Sequence, residues 1–539
     1  MIEINGISVY NSLAMGRLHF FNKHERIIKR LKTDAPEKEL EKFEAAQRLA
    51  KKQLEELYEK AVVSVGEANA QVFQIHIMML EDGDFCNAIS NMINTQSVNA
   101  EYAISYTSDI FAKTFGEMED EYMQARAADV RDISERLITA ITGGCNDSSC
   151  LEQPSIVVAD DFTPSETVRF DKDKILGFVT FNGSKTSHTA ILARTMNIPA
   201  VINTGKISTE YHGRLAILDG HSGTLYIDPD EDKIQDYEHR KELETEHTKL
   251  LAELKNKPNE TKSGKRINLY ANIGHPRDLP AVVANDAGGI GLFRSEFLYL
   301  EKDNFPTEDE QFLKYKEVAE GMGGKPVIIR TLDIGADKSI PYFNLPKEEN
   351  PALGYRAIRI CLTETSIFKT QLRAILRASA FGNIMIMFPM ITSKKEVTRA
   401  KAILTECMTE LKNENIPFND DISVGIMIET PAAAIISDVL APEVDFFSIG
   451  TNDLTQYTLA ADRQNYYIDS FIDPHHPAVL RLIETVCQNA HQYGKWAGIC
   501  GELAADTELT KAFLDFGIDE LSVSPSQVLK IREVIRNLD

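Results

Sequence analysis

The sequence predicts a multidomain α/β protein, in which an α/β domain carries an inserted helical bundle and is followed by a (β/α)8 barrel. Its 539 residues exceed what one hydrophobic core organises, and roughly three domains are expected. Helix formers dominate residues 23–142, whereas short apolar runs and glycine turns dominate the segments on either side. Beyond Arg266, eight apolar runs alternate with helical stretches, as successive β-α units require.

The α/β domain is predicted to consist of residues 1–22 and 143–229. Strand-like runs occur in both parts, for example Ile7–Tyr10 and Ser155–Ala159. The intervening residues 23–142 are poor in glycine and proline and place apolar side chains at helical spacing. The bundle is therefore predicted to interrupt a single α/β domain.

Residues 230–262 are rich in charged side chains, and two interpretations remain open: a linker helix and an ordinary surface helix. Residues 263–539 form the predicted barrel. Its strands are predicted at residues 267–273, 289–293, 326–330, 384–388, 423–428, 445–449, 495–499 and 521–523. Catalytic groups of such barrels lie at the carboxyl ends of the strands.

The composition of the chain indicates which classes of partner it can bind and which cellular compartment suits it. The formal net charge of −23 is spread along the chain, which argues against nucleic acid and anionic membranes as partners. Seven irregularly spaced cysteines form no disulfide framework, so a reducing cytoplasm is expected. There is no signal-like start and no run of about 18 apolar residues, so we expect an unprocessed protein without membrane insertion.

Polar side chains follow the predicted barrel strands, and we expect all of them to face one mouth of the barrel. They are Arg294 and Glu296, Arg330 and Asp333, Glu429, Asn452 and Asp453, and Cys500 and Glu502. Glu429 and Asp453 would meet on adjacent strands, where two carboxylates with oxygen-only neighbours suit magnesium rather than zinc. The alternative interpretation is that each carboxylate forms a salt bridge at the end of its strand. That alternative is reasonable for either residue alone, but it is much less favoured for both together.

Arginines add positive charge to the same mouth. Arg294, Arg330 and Arg463 could clamp phosphate and carboxylate oxygens, which predicts a small substrate with two or three negative charges. Loop residues Lys338, Arg356 and Arg359 could assist, but surface salt bridges explain them equally well.

Cys500 has two interpretations. An unpaired cysteine is most often a small buried hydrophobic residue. At a strand end, however, its thiol could give a proton to a carbanion or enolate formed at the metal site.

His188 lies in residues 183–194, where small and hydroxyl residues precede an apolar helical stretch. Backbone N–H groups at a helix N-terminus, together with hydroxyl and basic side chains, could stabilise a phosphate carried on the imidazole. The alternative interpretation is that a Ser or Thr of this segment only caps the following helix, which is the more common role of such residues before a helix.

Several long motifs resemble Enzyme I of the bacterial phosphotransferase system, and the resemblance covers nearly the whole chain. They occupy residues 183–194, 291–297, 333–338, 447–457 and 500–504, and in the helical portion residues 73–82 and 127–133. Two short segments depart from the family pattern, Ser184-Lys185 beside His188 and residues 11–13 near the start.

The resemblance implies a swivelling phosphohistidine domain, a helical domain that binds the phosphocarrier, and a barrel that binds phosphoenolpyruvate and forms a homodimer. His188 would be the phosphorylated nucleophile and Cys500 the proton donor that completes pyruvate. The substrate would be bound by Arg294, Arg330, Asn452, Asp453 and Arg463, and Mg²⁺ by Glu429 and Asp453. The phosphoryl group would pass to the histidine-containing phosphocarrier protein HPr, the first step of sugar uptake by this system.

Two other functions compete with this one. A nucleotide-coupled enzyme similar to pyruvate phosphate dikinase would need a large nucleotide-binding domain, for which the chain has neither room nor a glycine-rich phosphate loop. A catalytically inactive regulatory homologue would not need His188, Glu429, Asp453 and Cys500 together. A phosphoryl-transfer enzyme is therefore the favoured prediction.

Overall fold

The computed structural model divides into two compact units, Met1–Thr245 and Glu246–Asp539. The structure describes residues 1–21, 28–65, 67–116, 121–142, 151, 153–160, 162, 174–183, 189–190, 193, 198–300, 302, 304–335, 340–346, 348–463, 468 and 471–539. Among these residues, no helix is both long and apolar enough to cross a lipid bilayer.

The first unit contains a mixed sheet built from both ends of its sequence. Its strands are β1 (Ile2–Asn5), β2 (Ile7–Tyr10), β3 (Leu13–Phe20), β4 (Ser155–Ala159), β5 (Ile175–Thr180), β6 (Ala200–Ile202), β7 (Leu215–Asp219) and β8 (Thr224–Ile227). The order across the sheet is β1-β8-β7-β3-β4-β5-β6-β2. Strands β3 and β4 pair in parallel, with Leu18 opposite Ile156. The helical bundle is thus inserted between two neighbouring strands, as predicted.

The described part of the inserted bundle is mainly helical. Its helices are Pro36–Val65, Glu67–Leu80, Gly83–Gln96, Ala100–Gly116 and Glu121–Thr142. The side chain of Asp82 caps one of them by accepting a hydrogen bond from the backbone N–H of Phe85. Leu54, Phe73 and Ile89 lie in a shared apolar core that holds the helices together.

A buried histidine joins two helices of the bundle. Nε2 of His76 lies 3.1 Å from Oδ1 of Asp129, and Nδ1 lies 3.3 Å from Oδ2 of Asp132. Arg126 pairs with the other oxygen of Asp129 at 2.8 Å. Burial disfavours the charged imidazole, but the two aspartates outweigh it and raise the pKa of His76 to about 8.

The second unit is a closed barrel of parallel strands. They are β9 (Asn268–Ile273), β10 (Ile290–Arg294), β11 (Val327–Arg330), β12 (Ile384–Phe388), β13 (Val424–Ile428), β14 (Phe446–Ile449), β15 (Trp496–Ile499) and β16 (Glu520–Val523). The barrel closes where β16 pairs with β9, with Leu521 opposite Leu269. The predicted (β/α)8 architecture is confirmed, and every predicted strand lies within one residue of the observed one at each end.

Helices follow the strands around the barrel. They are Leu279–Ala284, Phe297–Leu300, Glu308–Gly321, Ile358–Thr363, Thr365–Ala378, Lys394–Asn413, Pro431–Ile435, Ser437–Leu440, Thr451–Leu459, Pro477–Gln492, Thr510–Phe516 and Val528–Asn537. Side chains such as Phe293, Ile386 and Phe447 face outward and pack with these helices in one large core. Because side chains alternate along a strand, their neighbours Leu292, Met387 and Phe446 fill the barrel interior instead.

The charged segment at residues 230–262 contains the helix Glu231–Glu253, whose described residues are mostly exposed. Its end is fastened to the barrel by the buried side chain of Arg532. The guanidinium donates to the backbone oxygen of Leu254 at 2.9 Å, to Oδ1 of Asn259 at 2.7 Å and to Oδ2 of Asp286 at 2.6 Å. The chain after the helix is therefore held firmly, and the exposed helix precedes this anchor.

Candidate active site at the barrel mouth

Three buried carboxylates meet where barrel strands end. Asp333 follows β11, Glu429 follows β13, and Asp453 lies in the first turn of the helix after β14. One carboxylate oxygen from each lies within 4.8 Å of the other two. Asp333 was predicted from the sequence to lie at this mouth, but only Glu429 and Asp453 were assigned to the metal.

Glu429 is the most deeply buried of the three. Its Oε2 accepts a hydrogen bond of 2.7 Å from the backbone N–H of Met390. Burial, followed by the negative charges of Asp333 and Asp453, raises the pKa of Glu429 to about 8. A cation bound between these oxygens would remove that repulsion, and an oxygen-only set suits a hard divalent ion.

Arg330 brings positive charge against the carboxylates. Its guanidinium lies 2.5 Å from Oε1 of Glu296, 2.9 Å from Oδ2 of Asp333 and 3.7 Å from Oε1 of Glu429. Burial disfavours its charge, but these carboxylates prevail and raise the pKa of Arg330 above its ordinary value. The side chain is therefore a permanently charged group held in one orientation.

Arg356 is part of the same buried network, so the alternative of a surface salt bridge is wrong for this residue. Only 4% of it is exposed, and its Nη2 lies 2.9 Å from Oδ1 of Asp333 and 3.9 Å from Oδ2 of Asp453. Its Nη1 donates to the hydroxyl of Tyr457 at 3.3 Å. Arg359 instead donates to the backbone oxygens of a nearby loop, and Lys338 lies outside the described residues.

The remaining predicted substrate residues surround this network. Nη2 of Arg463 lies 3.4 Å from Oδ1 of Asp453, and the side chain of Arg463 is 44% exposed. Oδ1 of Asn452 accepts a hydrogen bond of 3.0 Å from the backbone N–H of Glu502, which joins two loops of the mouth. Arg294 ends β10 and is partly exposed.

A cavity of about 470 Å³ opens beside Cys500. Its lining includes Asn272, Arg294, Cys500 and Glu502. The thiol of Cys500 is almost fully buried, with Sγ 3.7 Å from the backbone oxygen of Ile449. Burial raises the pKa of Cys500 to about 12, so the thiol keeps its proton at neutral pH. A protonated thiol at the edge of a cavity can act as a general acid.

His188 lies outside the described residues, and its phosphorylation stays a prediction. The adjoining Thr189 and Ala190 are helical and fully buried in the first unit. Oγ1 of Thr189 accepts a hydrogen bond of 3.4 Å from the backbone N–H of Phe162.

Three protein-family models match consecutive parts of the chain. Residues 248–539 match the PEP-binding domain of PEP-utilising enzymes, residues 5–126 their N-terminal domain, and residues 151–223 their mobile domain. The first match alone covers more than half of the sequence, including every described residue of the barrel-mouth network.

Full-length relatives are similar to this chain along its whole length. The phosphoenolpyruvate-protein phosphotransferase of Priestia megaterium is 43% identical over 538 residues, covering 99% of this chain and 94% of that protein. The protein of the same name from Bacillus subtilis strain 168 is 43% identical over 540 residues, covering 100% of this chain and 95% of that protein. A third, from Staphylococcus aureus, is 43% identical over 544 residues, covering 99% and 94%.

Proposed function

This chain belongs to the phosphoenolpyruvate-protein phosphotransferase family, and we propose from that premise that it phosphorylates itself on His188 with phosphoenolpyruvate, releasing pyruvate. The phosphoryl group then passes to a histidine of the phosphocarrier protein HPr, which starts sugar uptake by the phosphotransferase system. The observation that carries the proposal is the buried network of carboxylates and arginines at the barrel mouth, in a chain similar to these enzymes from end to end.

We assign a magnesium ion to Glu429 and Asp453. The support is a set of buried oxygen donors whose mutual repulsion a divalent cation would relieve. When bound, the ion supplies charge neutralisation for the phosphate and enolate oxygens. Asp333 is engaged by Arg330 and Arg356 at 2.9 Å each, so its charge is already balanced without an ion.

Arg294, Arg330, Arg463 and Asn452 bind the phosphate and carboxylate of phosphoenolpyruvate. Fixed guanidinium groups need little rearrangement when negative charge shifts during the reaction, and they stabilise the transition state for that reason. Arg330 has such a fixed position because three carboxylates surround it. Arg463, which is more exposed, is free to adjust to the substrate from the solvent side.

In the first step, a ring nitrogen of His188 attacks phosphorus, the bond between phosphorus and the enol oxygen breaks, and enolpyruvate is left. Cys500 then completes the product. Its S–H bond breaks as a C–H bond forms at the methylene carbon, which gives pyruvate and a thiolate. The buried, protonated state of the thiol supports this role.

Transfer onward requires the phosphorylated histidine to leave the barrel. We place the carrier-docking surface on the helical domain at residues 23–142 and the hinge at residues 230–262. The working form is a homodimer in the cytoplasm, assembled through the barrel. The exposed helix Glu231–Glu253, followed by the anchor at Arg532, supports a hinge ahead of a fixed barrel.

The test is incorporation of labelled phosphate from phosphoenolpyruvate in the presence of Mg²⁺. We expect acid-labile, base-stable label on the intact protein, none on His188→Ala, and a chase of the label to HPr. His239→Ala, which removes an exposed histidine from the helix Glu231–Glu253, is the matched control and should label normally. Folded protein that takes no label would refute the proposal and favour an inactive homologue, and labelling by ATP alone would favour a dikinase-like enzyme.

A further inference from the structure

A polar patch interrupts the apolar interior of the barrel below Cys500. The interior side chains include Leu292, Ile328, Met387, Met427 and Phe446. Glu520 and Ser522 of β16 are fully buried in the same interior. A carboxyl group inside an apolar barrel is unfavourable unless hydrogen bonds compensate for its lost hydration.

In the part of the chain that the structure describes, no contact makes Glu520 a structural ion pair. Neither Oε1 nor Oε2 has a hydrogen-bond partner among the described residues. The room for these oxygens comes from two glycines. A methyl group at Gly291 would overlap Oε1, and one at Gly498 would overlap Oε2. The two glycines therefore leave space for the carboxyl group of Glu520, and no described residue of the barrel pairs with it.

An ionised carboxylate in such a place would be strongly destabilised, because nothing replaces its lost hydration. Burial accordingly raises the pKa of Glu520 well above its ordinary value, and no cation among the described residues lowers it. Its complete burial and its lack of hydrogen-bond partners among the described residues favour the neutral carboxylic acid, which carries a proton that it can give away.

The register of the strands places this proton near Cys500. Gly498 of β15 lies opposite Glu520 of β16, and Cys500 follows two residues later on the same side of its strand. Oγ of Ser522 and Oε1 of Glu520 both border the space next to Gly291. Ser522 donates to Oδ1 of Asn272 at 2.6 Å, and Nδ2 of Asn272 donates to the backbone oxygen of Cys500 at 3.0 Å.

We infer that Glu520 is a proton reserve that restores the thiol of Cys500 after each turnover. The inference rests on the proposed role of Cys500 as proton donor to enolpyruvate. Once that proton has moved to carbon, the O–H bond of Glu520 breaks and the S–H bond of Cys500 forms again. The carboxylate left on Glu520 then regains a proton from solvent before the next turnover.

The first measurement is the infrared spectrum of the full-length protein. The carbonyl stretch of a protonated carboxylic acid is expected at neutral pH, with the downshift in ²H₂O that an exchangeable proton produces. The contribution of Glu520 to this band should be lost in Glu520→Gln, which leaves the contribution of Glu429, and the whole band should be unchanged in Glu317→Gln, a matched change at an exposed position. A spectrum of Glu520→Gln identical to that of the intact protein would mean that Glu520 is ionised, and the inference would fall.

The second measurement separates the first turnover from later ones, with pyruvate release followed by rapid mixing. Glu520→Gln should release its first pyruvate at the normal rate, because Cys500 starts protonated. Later turnovers, with HPr in excess, should slow by about 10-fold or more, since a lost proton donor usually matters at least that much. Glu520→Asp keeps the acid and should regain part of the rate together with the infrared signal.

Two outcomes distinguish the failure of this inference from failure of the proposed function. If Cys500→Ser makes pyruvate with normal first-turnover kinetics, Cys500 is not the donor and the proposed function must be revised. If Cys500→Ser is impaired in its first turnover but Glu520→Gln matches the intact protein in every turnover, only the role of Glu520 is overturned.

Discussion

The contact between His76 and its two aspartates predicts a helical bundle whose stability depends on pH. In the folded protein the pKa of His76 is raised to about 8 from an ordinary value of 6.5. Because the folded value is the higher one, the stabilisation is fully present below about 6.5 and is lost as the pH rises through about 8. The shift corresponds to about 2 kcal/mol, an order-of-magnitude value for a side chain only 1% exposed.

The perturbation is His76→Gln in the full-length protein, and the assay is amide hydrogen exchange of the helices Glu67–Leu80 and Glu121–Thr142. Intact protein and variant are compared at the same pH, which cancels the intrinsic pH dependence of exchange. The protection ratio of intact protein to variant should fall by roughly 25-fold between pH 6 and pH 9. A ratio that stays constant over this range would show that His76 is not held charged between Asp129 and Asp132.

Three further predictions concern the barrel mouth. Glu429→Gln should weaken Mn²⁺ binding at least about 10-fold in a paramagnetic resonance titration. Asp333→Asn should weaken it less, because Arg330 and Arg356 already neutralise Asp333; equal losses would instead indicate a site of three carboxylates. Because the pKa of Glu429 is raised to about 8, metal affinity should increase as the pH rises through that value. Calorimetry should detect protons that the protein releases when the metal binds. A metal affinity that does not change with pH would contradict the assignment of Glu429 as a ligand. Arg330→Met should destabilise the barrel by roughly 3–5 kcal/mol in thermal unfolding, because it leaves buried carboxylates unpaired, whereas the exposed control Arg481→Met should change little. Unchanged unfolding of Arg330→Met would refute this reading of the network.

The barrel was predictable because its signal is local. Each strand is a short apolar run bounded by polar or glycine residues, and residues 384–388 match β12 at both ends. The pairing of Glu429 with Asp453 followed from topology, since carboxyl ends of parallel strands share one mouth. The bundle insertion was predictable for a similar reason, because strand-like segments lie on both sides of a helical one.

What the sequence did not reveal depends on contacts between distant residues. The sequence around Arg356 does not differ from that around an exposed arginine. Only its contacts with Asp333 and Tyr457 in the folded protein show that it is buried. The predicted strand at residues 521–523 does not include Glu520, and a buried carboxylate is unusual in a barrel interior. Its environment is set by glycines on two other strands, Gly291 and Gly498, which no local pattern connects to it.

The order of strands in the first unit has a consequence for how the chain acquires its structure during synthesis. Strand β1 pairs with β8, with Ile2 opposite Ile227, so the start of the chain has no partner in this sheet until residue 227 has left the ribosome. At ordinary rates of translation that interval is on the order of tens of seconds. The helical bundle, whose contacts are local, is complete well before then. The bundle thus has time to fold before the sheet does, and β1 of a nascent chain stays unpaired until β8 has been made.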